Sequence, residues 1–133
     1  MNNENRMKIL VVEDDLVLCR TVALILTRKG YEVDVARSGI DALEMMRENR
    51  YDLHILDIKL PGMDGMKLTQ HVKRDYAGLM NRLIYITGDV IDTKVQRFLS
   101  QVDRPYLLKP FNTSQLMELV AAALHETCAN PVS

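Results

Sequence analysis

Glu13, Asp14, Asp57, Thr87 and Lys109 each stand at the C-terminal end of an apolar run. Glu13 and Asp14 follow Ile9-Leu10-Val11-Val12, and Asp57 follows Leu53-His54-Ile55-Leu56. Thr87 follows Leu83-Ile84-Tyr85-Ile86, and Lys109 follows Tyr106-Leu107-Leu108. Carboxylates, a hydroxyl and an amine meeting in one crevice suit a divalent cation and a phosphoryl group. Oxygen donors match Mg²⁺, which keeps several waters and takes only one or two protein carboxylates. A carboxylate can also accept a phosphoryl group as an acyl phosphate, a transfer that depends mostly on positioning and charge neutralisation. Asp57 is central, which makes it the candidate nucleophile. Lys109 would neutralise phosphoryl oxygens as a point charge, and Thr87 would donate a hydrogen bond to one of them. Singly, each residue has an ordinary reading: a helix cap, a turn, a strand end, a surface lysine. Their recurrence at successive strand ends argues for a site.

Such a site requires the runs to be parallel strands of one sheet, with the crevice beyond their carboxyl ends. Run 7–13 is continuously apolar after Lys8, as a strand covered on both faces should be. Leu16–Lys29 reads as a helix, with Asp14 or Asp15 at its start and Gly30 past its end. Tyr31–Val35 alternates with period two, which suits an edge strand, and Ser38 caps a second helix through about Arg50. Strand three covers 52–57, and Asp64 caps a helix through about Asp75. Strand four covers 82–87. Ile91, Val95, Phe98 and Leu99 then fall on one helical face, where an exposed member would mark a dimer or partner surface. Strand five, about 105–108, begins at Pro105 and belongs at an edge. Asn112 and Gln115 have capping-box spacing at the head of the last helix. A (βα)5 alternation with right-handed crossovers gives a doubly wound parallel sheet. With strands two and five as edges, the order is the flavodoxin-like 2-1-3-4-5, whose switch point brings Glu13, Asp14 and Asp57 together.

The chain has 133 residues, 47% hydrophobic and 26% charged, which fits one domain with an ordinary core. A net charge of −1 implies neither direct nucleic-acid binding nor attraction to an anionic membrane. The stretch Met1–Arg6 has no apolar run, and no segment approaches membrane-helix length. Cys19 and Cys128 match no paired or metal spacing and read as reduced thiols of a cytoplasmic protein. Residues 1–6 are expected to be a flexible N-terminal tail, 7–126 the folded domain and 127–133 a C-terminal tail. His54 is expected to pack through a satisfied ring nitrogen, and His71 and His125 to be solvated. No two histidines have transition-metal spacing. The methionines, Met45-Met46 included, read as core filler.

The combined motifs resemble the receiver domain of two-component response regulators. They are Ile9-Leu10-Val11-Val12-Glu13-Asp14-Asp15, Leu56-Asp57-Ile58-Lys59-Leu60-Pro61-Gly62-Met63-Asp64-Gly65, Ile86-Thr87-Gly88 and Leu108-Lys109-Pro110-Phe111. The resemblance covers essentially all of 7–126. It implies that Asp57 takes a phosphoryl group from a histidine kinase or phosphotransfer protein. It further implies that Glu13, Asp14, Asp57 and the backbone carbonyl of Lys59 hold Mg²⁺, with Mn²⁺ as a substitute. Thr87 and Lys109 would sense the phosphoryl group, and Tyr106 would be the switch aromatic that turns inward as Thr87 moves. Lys59 and Asp89, two residues after Asp57 and Thr87, would tune the lifetime of the acyl phosphate. The face formed by helix four, strand five and helix five would then repack for an unknown downstream protein or a phosphorylation-dependent dimer. Such a domain assists its own phosphorylation and dephosphorylation without being an enzyme otherwise.

Ser100-Gln101-Val102-Asp103-Arg104-Pro105 departs from the Gly-Ala-rich turn of many such domains and is similar to receivers attached to hybrid sensor histidine kinases, which relay the phosphoryl group onward. A degenerate receiver acting as a scaffold is a further alternative, opposed by the complete acid, Thr and Lys set. An aspartyl phosphatase would want a second acid where Lys59 stands. A flavin module would want a phosphate-binding loop where Glu13-Asp14-Asp15 would repel phosphate.

Overall fold

The computed structural model describes residues 6–129, with side chains described through Glu126. Apart from Arg6 and the backbone of 127–129, the two expected tails lie outside the described residues, as does the side chain of Cys128. Five parallel strands, β1 (Lys8–Val12), β2 (Glu32–Ala36), β3 (Leu53–Asp57), β4 (Leu83–Thr87) and β5 (Tyr106–Leu108), form one sheet of order β2-β1-β3-β4-β5. They alternate with helices α1 (Leu16–Arg28), α2 (Gly39–Glu48), α3 (Gly65–Asp75), α4 (Thr93–Val102) and α5 (Thr113–Ala129). The expected topology and both edge assignments hold. A short 3₁₀ segment, Ala77–Arg82, links α3 to β4 and was not anticipated from the sequence. Helix α5 continues three residues beyond 126, the expected end of the folded domain.

Apart from Lys8, His54 and Asp57, β1 and β3 are apolar, which reflects burial on both faces. Ile9 and Val11 join Val22, Leu26, Val120 and Leu124, residues of α1 and α5. Leu10 and Val12, pointing the other way, join Ala42, Leu68, Val72 and Val95 from α2, α3 and α4. Full burial of such side chains contributes about 1.5–3 kcal/mol each. The methionines behave as expected: Met46 is buried, and Met45, Met63, Met66 and Met80 fill the margin of the same cluster. Cys19 is buried with its thiol free.

Local signals set the helix ends. Asp15 Oδ1 accepts from Leu18 N–H, Ser38 Oγ from Asp41 N–H and Asp64 Oδ1 from Lys67 N–H. Asn112 and Gln115 exchange side chain–backbone bonds at 2.8 and 2.9 Å, completing the capping box. The expectation for Ile91 needs correction. Asp92 is the cap of α4, so the helix begins after Ile91, which stands 86% exposed in the preceding loop. Val95 and Leu99 are buried, and Phe98 packs edge-on against Tyr85 at 5.2 Å. The departure at Ser100–Pro105 also has a structural role. Asp103 ends α4 in the left-handed region at φ 51°, and Arg104 reaches Leu83 O, Asn81 O and Glu126 Oε1 at 2.8–2.9 Å. Its planar fork thereby ties the entry to β4 to α5.

His54 is buried as expected, but only part of its expectation holds. Its ring bonds the Arg82 backbone while Nδ1 is a buried nitrogen without a partner. Burial pushes the imidazole down to about 4, so it is neutral at pH 7. His71 Nδ1 meets Arg74 Nη2 at 3.0 Å, and His125 is exposed. Among the described residues, no helix is long and apolar enough to cross a membrane.

Candidate functional site

The parallel register delivers the acidic residues to one edge. β1 pairs with β3 so that Val12 lies beside Leu56, which places Glu13 and Asp57 at neighbouring strand ends. Asp57 in turn lies beside Ile86, one residue before Thr87. One oxygen from each of Glu13, Asp14 and Asp57 lies within 4.8 Å of the others. Glu13 and Asp57 are buried, whereas Asp14 is exposed at the rim.

One ammonium and one backbone donor offset this charge. Lys109 Nζ lies 2.8 Å from Asp57 Oδ2 and 3.0 Å from Glu13 Oε1. The Lys59 backbone N–H donates to Asp57 Oδ1 at 3.1 Å. Burial tends to pull the Lys109 ammonium down, but Asp57 and Glu13 outweigh it and hold its pKa above the ordinary lysine value. Burial first, and then neighbouring Asp57, push the Glu13 carboxyl from 4.5 to about 7. Glu13 Oε2 accepts from Asp15 N–H, while the buried Oε1 has the Lys109 ammonium at 3.0 Å as its partner. Three carboxylates gathered this closely around a single lysine carry excess negative charge, and their oxygens fit a hard cation that takes oxygen ligands.

Thr87 is fully buried, and its Oγ1 accepts from Asp89 N–H at 3.2 Å, which leaves the hydroxyl proton to be donated elsewhere. Lys109 is held to the end of β4 by its N–H, which bonds Thr87 O at 2.9 Å. Tyr106, on edge strand β5, is 47% exposed and borders a depression of about 330 Å³ with Val90, Leu99 and Ser100. The Lys59 side chain is not gathered into the cluster. It turns to Asp92 at 3.1 Å and Asp89 at 3.7 Å.

Gly65 was part of a recognised motif, but its physical role emerges only here. A Cβ at this position would lie 2.6 Å from Asp57 O and 2.8 Å from Ile58 Cα. Gly65 N–H also bonds Ile58 O, so α3 starts directly against the strand that carries Asp57. Gly65→Ala must displace backbone, and we expect a loss of roughly 1–3 kcal/mol. Urea unfolding with an unchanged slope checks this; a variant as stable as the parent would remove the close-approach argument.

A family model described as response regulator receiver domain matches residues 9–121. Regulatory protein VanRB of Enterococcus faecalis is 34% identical over 122 residues, covering 92% of this chain and 54% of that protein. The DNA-binding response regulator MtrA of Mycobacterium tuberculosis is 33% identical over 126 residues, covering 95% and 54%. The chain therefore spans about half the length of the curated relatives it matches. Among solved structures, a CheY-like response regulator receiver domain protein from Methanospirillum hungatei aligns with a TM-score of 0.86 and 28% identity, covering 95% of this chain and 99% of that one. A response regulator from Chloroflexus aurantiacus aligns at 0.81 and 30%, covering 91% and 99%.

Proposed function

The chain belongs to the response regulator receiver domain family, and from that membership we propose that it is the phosphoaccepting module of a two-component phosphorelay. The observation that carries the reading is the setting of Asp57. It is a buried carboxylate with one oxygen on a backbone N–H and the other 2.8 Å from a lysine, clustered with the carboxylates of Glu13 and Asp14.

An Asp57 oxygen attacks the phosphorus of a phosphohistidine. The new O–P bond forms as the P–N bond breaks, and the imidazole leaves and takes up a proton. Glu13, Asp14, Asp57 and the backbone carbonyl of Lys59 would hold Mg²⁺, with Mn²⁺ as a substitute, which supplies charge neutralisation at the phosphoryl oxygens. Lys109 adds a second point charge 2.8 Å from Asp57 Oδ2. The depression lined by Val17, Leu18, Lys109 and Phe111 gives the donor an approach of about 480 Å³. The donor is a histidine kinase or phosphotransfer protein, and the setting is cytoplasmic.

The acquired charge of about −1.5 to −2 and its acceptor oxygens then draw Lys109 and the free proton of Thr87. Movement of Thr87 vacates space for Tyr106 to turn from the surface into the depression beside it, which alters the face of α4, β5 and α5. The downstream target of that face is a protein or a second copy of the chain. Asp89 and Lys59 tune the lifetime of the acyl phosphate from the rim.

Incubation with acetyl phosphate and Mg²⁺ should add one phosphoryl group by intact-mass spectrometry, and a chelator should prevent it. No adduct in the presence of Mg²⁺ overturns the reading, and sustained phosphoester turnover would favour a phosphatase. Thr87→Ala should still take up the group while the Tyr106 ring resonances stay unchanged on phosphorylation. A Tyr106 shift on phosphorylation as large as the parent's in that variant would remove Thr87 from the switch.

A further inference from the structure

Lys59 directs its charge away from the acidic cluster, and the groups that hold it there are linked to the rest of the switch. Its backbone N–H donates to Asp57 Oδ1, while its ammonium lies 3.1 Å from Asp92 Oδ2 and 3.7 Å from Asp89 Oδ2. Asp92 also caps α4: Oδ1 accepts Lys94 N–H at 2.8 Å. The Asp92 N–H donates to Asp89 Oδ1, and the Asp89 N–H donates to Thr87 Oγ1. One side chain therefore joins the loop that follows Asp57 to the start of α4, through carboxylates already linked to Thr87.

We propose that Asp92 is a positioning residue that holds the Lys59 ammonium off the phosphoryl site, and that a phosphoryl group on Asp57 competes for this ammonium and frees the start of α4. The inference rests on Asp57 being the phosphoacceptor. The latch is weak: the Lys59, Asp89 and Asp92 side chains are 51%, 40% and 29% exposed. Pairs this accessible shift an equilibrium by about fivefold at most. A phosphoryl group would bring about −1.5 to −2 charge and attach to a carboxylate only 3% exposed, where solvent and salt screen it less. Competition for the lysine therefore favours the phosphoryl group once it is present and the aspartates when it is not. In this arrangement α4 senses phosphorylation through Lys59 as well as through Thr87.

Asparagine caps helices about as well as aspartate, so Asp92→Asn removes the latch charge and keeps the cap. Lys59 would then fall back on Asp89, so the variant that releases it fully is Asp89→Asn/Asp92→Asn. The initial rate of adduct formation from acetyl phosphate with Mg²⁺ should rise about two- to fivefold in this pair at low salt, because a freed ammonium attracts the anionic donor. The gain should shrink at high salt and vanish when Lys59→Gln is added. A pair no faster than the parent, or a gain that persists without Lys59, overturns the latch. A parent that takes up no phosphoryl group at all overturns the Asp57 reading itself, and the latch with it.

Discussion

Asp57→Asn should take up no phosphoryl group from acetyl phosphate and Mg²⁺, under conditions in which the parent chain is fully converted. Asparagine keeps the shape and an acceptor oxygen for the Lys59 N–H that meets Asp57 Oδ1 at 3.1 Å. It lacks the anionic oxygen needed to form an acyl phosphate. The neighbouring acids are poor replacements. Burial is the first cause of the raised pKa of the Glu13 carboxyl, and that burial persists when Asp57 is replaced, so the variant still disfavours the anionic form a nucleophile needs. One Glu13 oxygen is also engaged by the Asp15 N–H. Asp14 is exposed at the rim, whereas Asp57 is buried, with Lys109 on one oxygen and the Lys59 N–H on the other. The variant should remain folded. Removing one partner of a fully buried pair costs about 3–5 kcal/mol, but Lys109 keeps Glu13 at 3.0 Å and its side chain is 27% exposed. The expected cost is therefore ~1–2 kcal/mol. Intact mass and circular dichroism on the same sample separate loss of the nucleophile from loss of fold. A full adduct on folded Asp57→Asn would assign the chemistry to another residue.

The strand-end logic that points to Asp57 was legible because parallel strands buried on both faces leave little ambiguity. Ile9–Val12 is apolar without interruption and Leu53–Leu56 is broken only by the buried His54, and the first polar residue after each run emerges at the same edge. Caps were legible for a similar reason: Asp15, Ser38 and Asp64 bond amides three residues ahead, and such contacts are fixed by local spacing. Ile91 marks the limit of periodicity. Its position fits the apolar face of α4, but the cap at Asp92 starts the helix later and leaves Ile91 at the surface. The Lys59 side chain was illegible for a different reason. Its partner Asp92 is 33 residues away, and no local pattern states which of several nearby acids a long flexible amine will choose. Arg104 is similar, since its carbonyl partners at Asn81 and Leu83 exist only once the 3₁₀ segment has formed. The backbone demand at Gly65 likewise appears only when α3 is seen against Asp57 O.

The second large effect is a metal-dependent stability that grows with pH. Glu13 titrates near 4.5 when unfolded and near 7 in the folded, metal-free chain. Between those values the folded state holds a proton that the unfolded chain has released, so this group lowers stability as pH rises. Below 4.5 it contributes no penalty, and above 7 the penalty is fully present, roughly 3 kcal/mol at about 1.4 kcal/mol per unit. His54 works in the opposite direction. Burial takes it from 6.5 to about 4, so the unfolded chain binds the extra proton between those values and stability rises through that window by a similar amount. The two slopes offset each other from about pH 4.5 to 6.5, so the metal-free curve alone is uninformative there. Mg²⁺ separates them, because a cation among Glu13, Asp14 and Asp57 relieves the Glu13 penalty and leaves His54 untouched. At about 100 times its Kd a ligand stabilises by ~2.7 kcal/mol, which for a chain of this size is a Tm rise of roughly 5–15 °C. That rise is expected at pH 8, while at pH 5, where protonated Glu13 opposes binding, it should shrink to about a fifth or less. Glu13→Gln should flatten the pH dependence of the increment, and His54→Gln should leave it intact while tilting the metal-free curve. Equal increments at pH 5 and pH 8 in the parent chain would mean that the cation, if it binds, does not bind at Glu13.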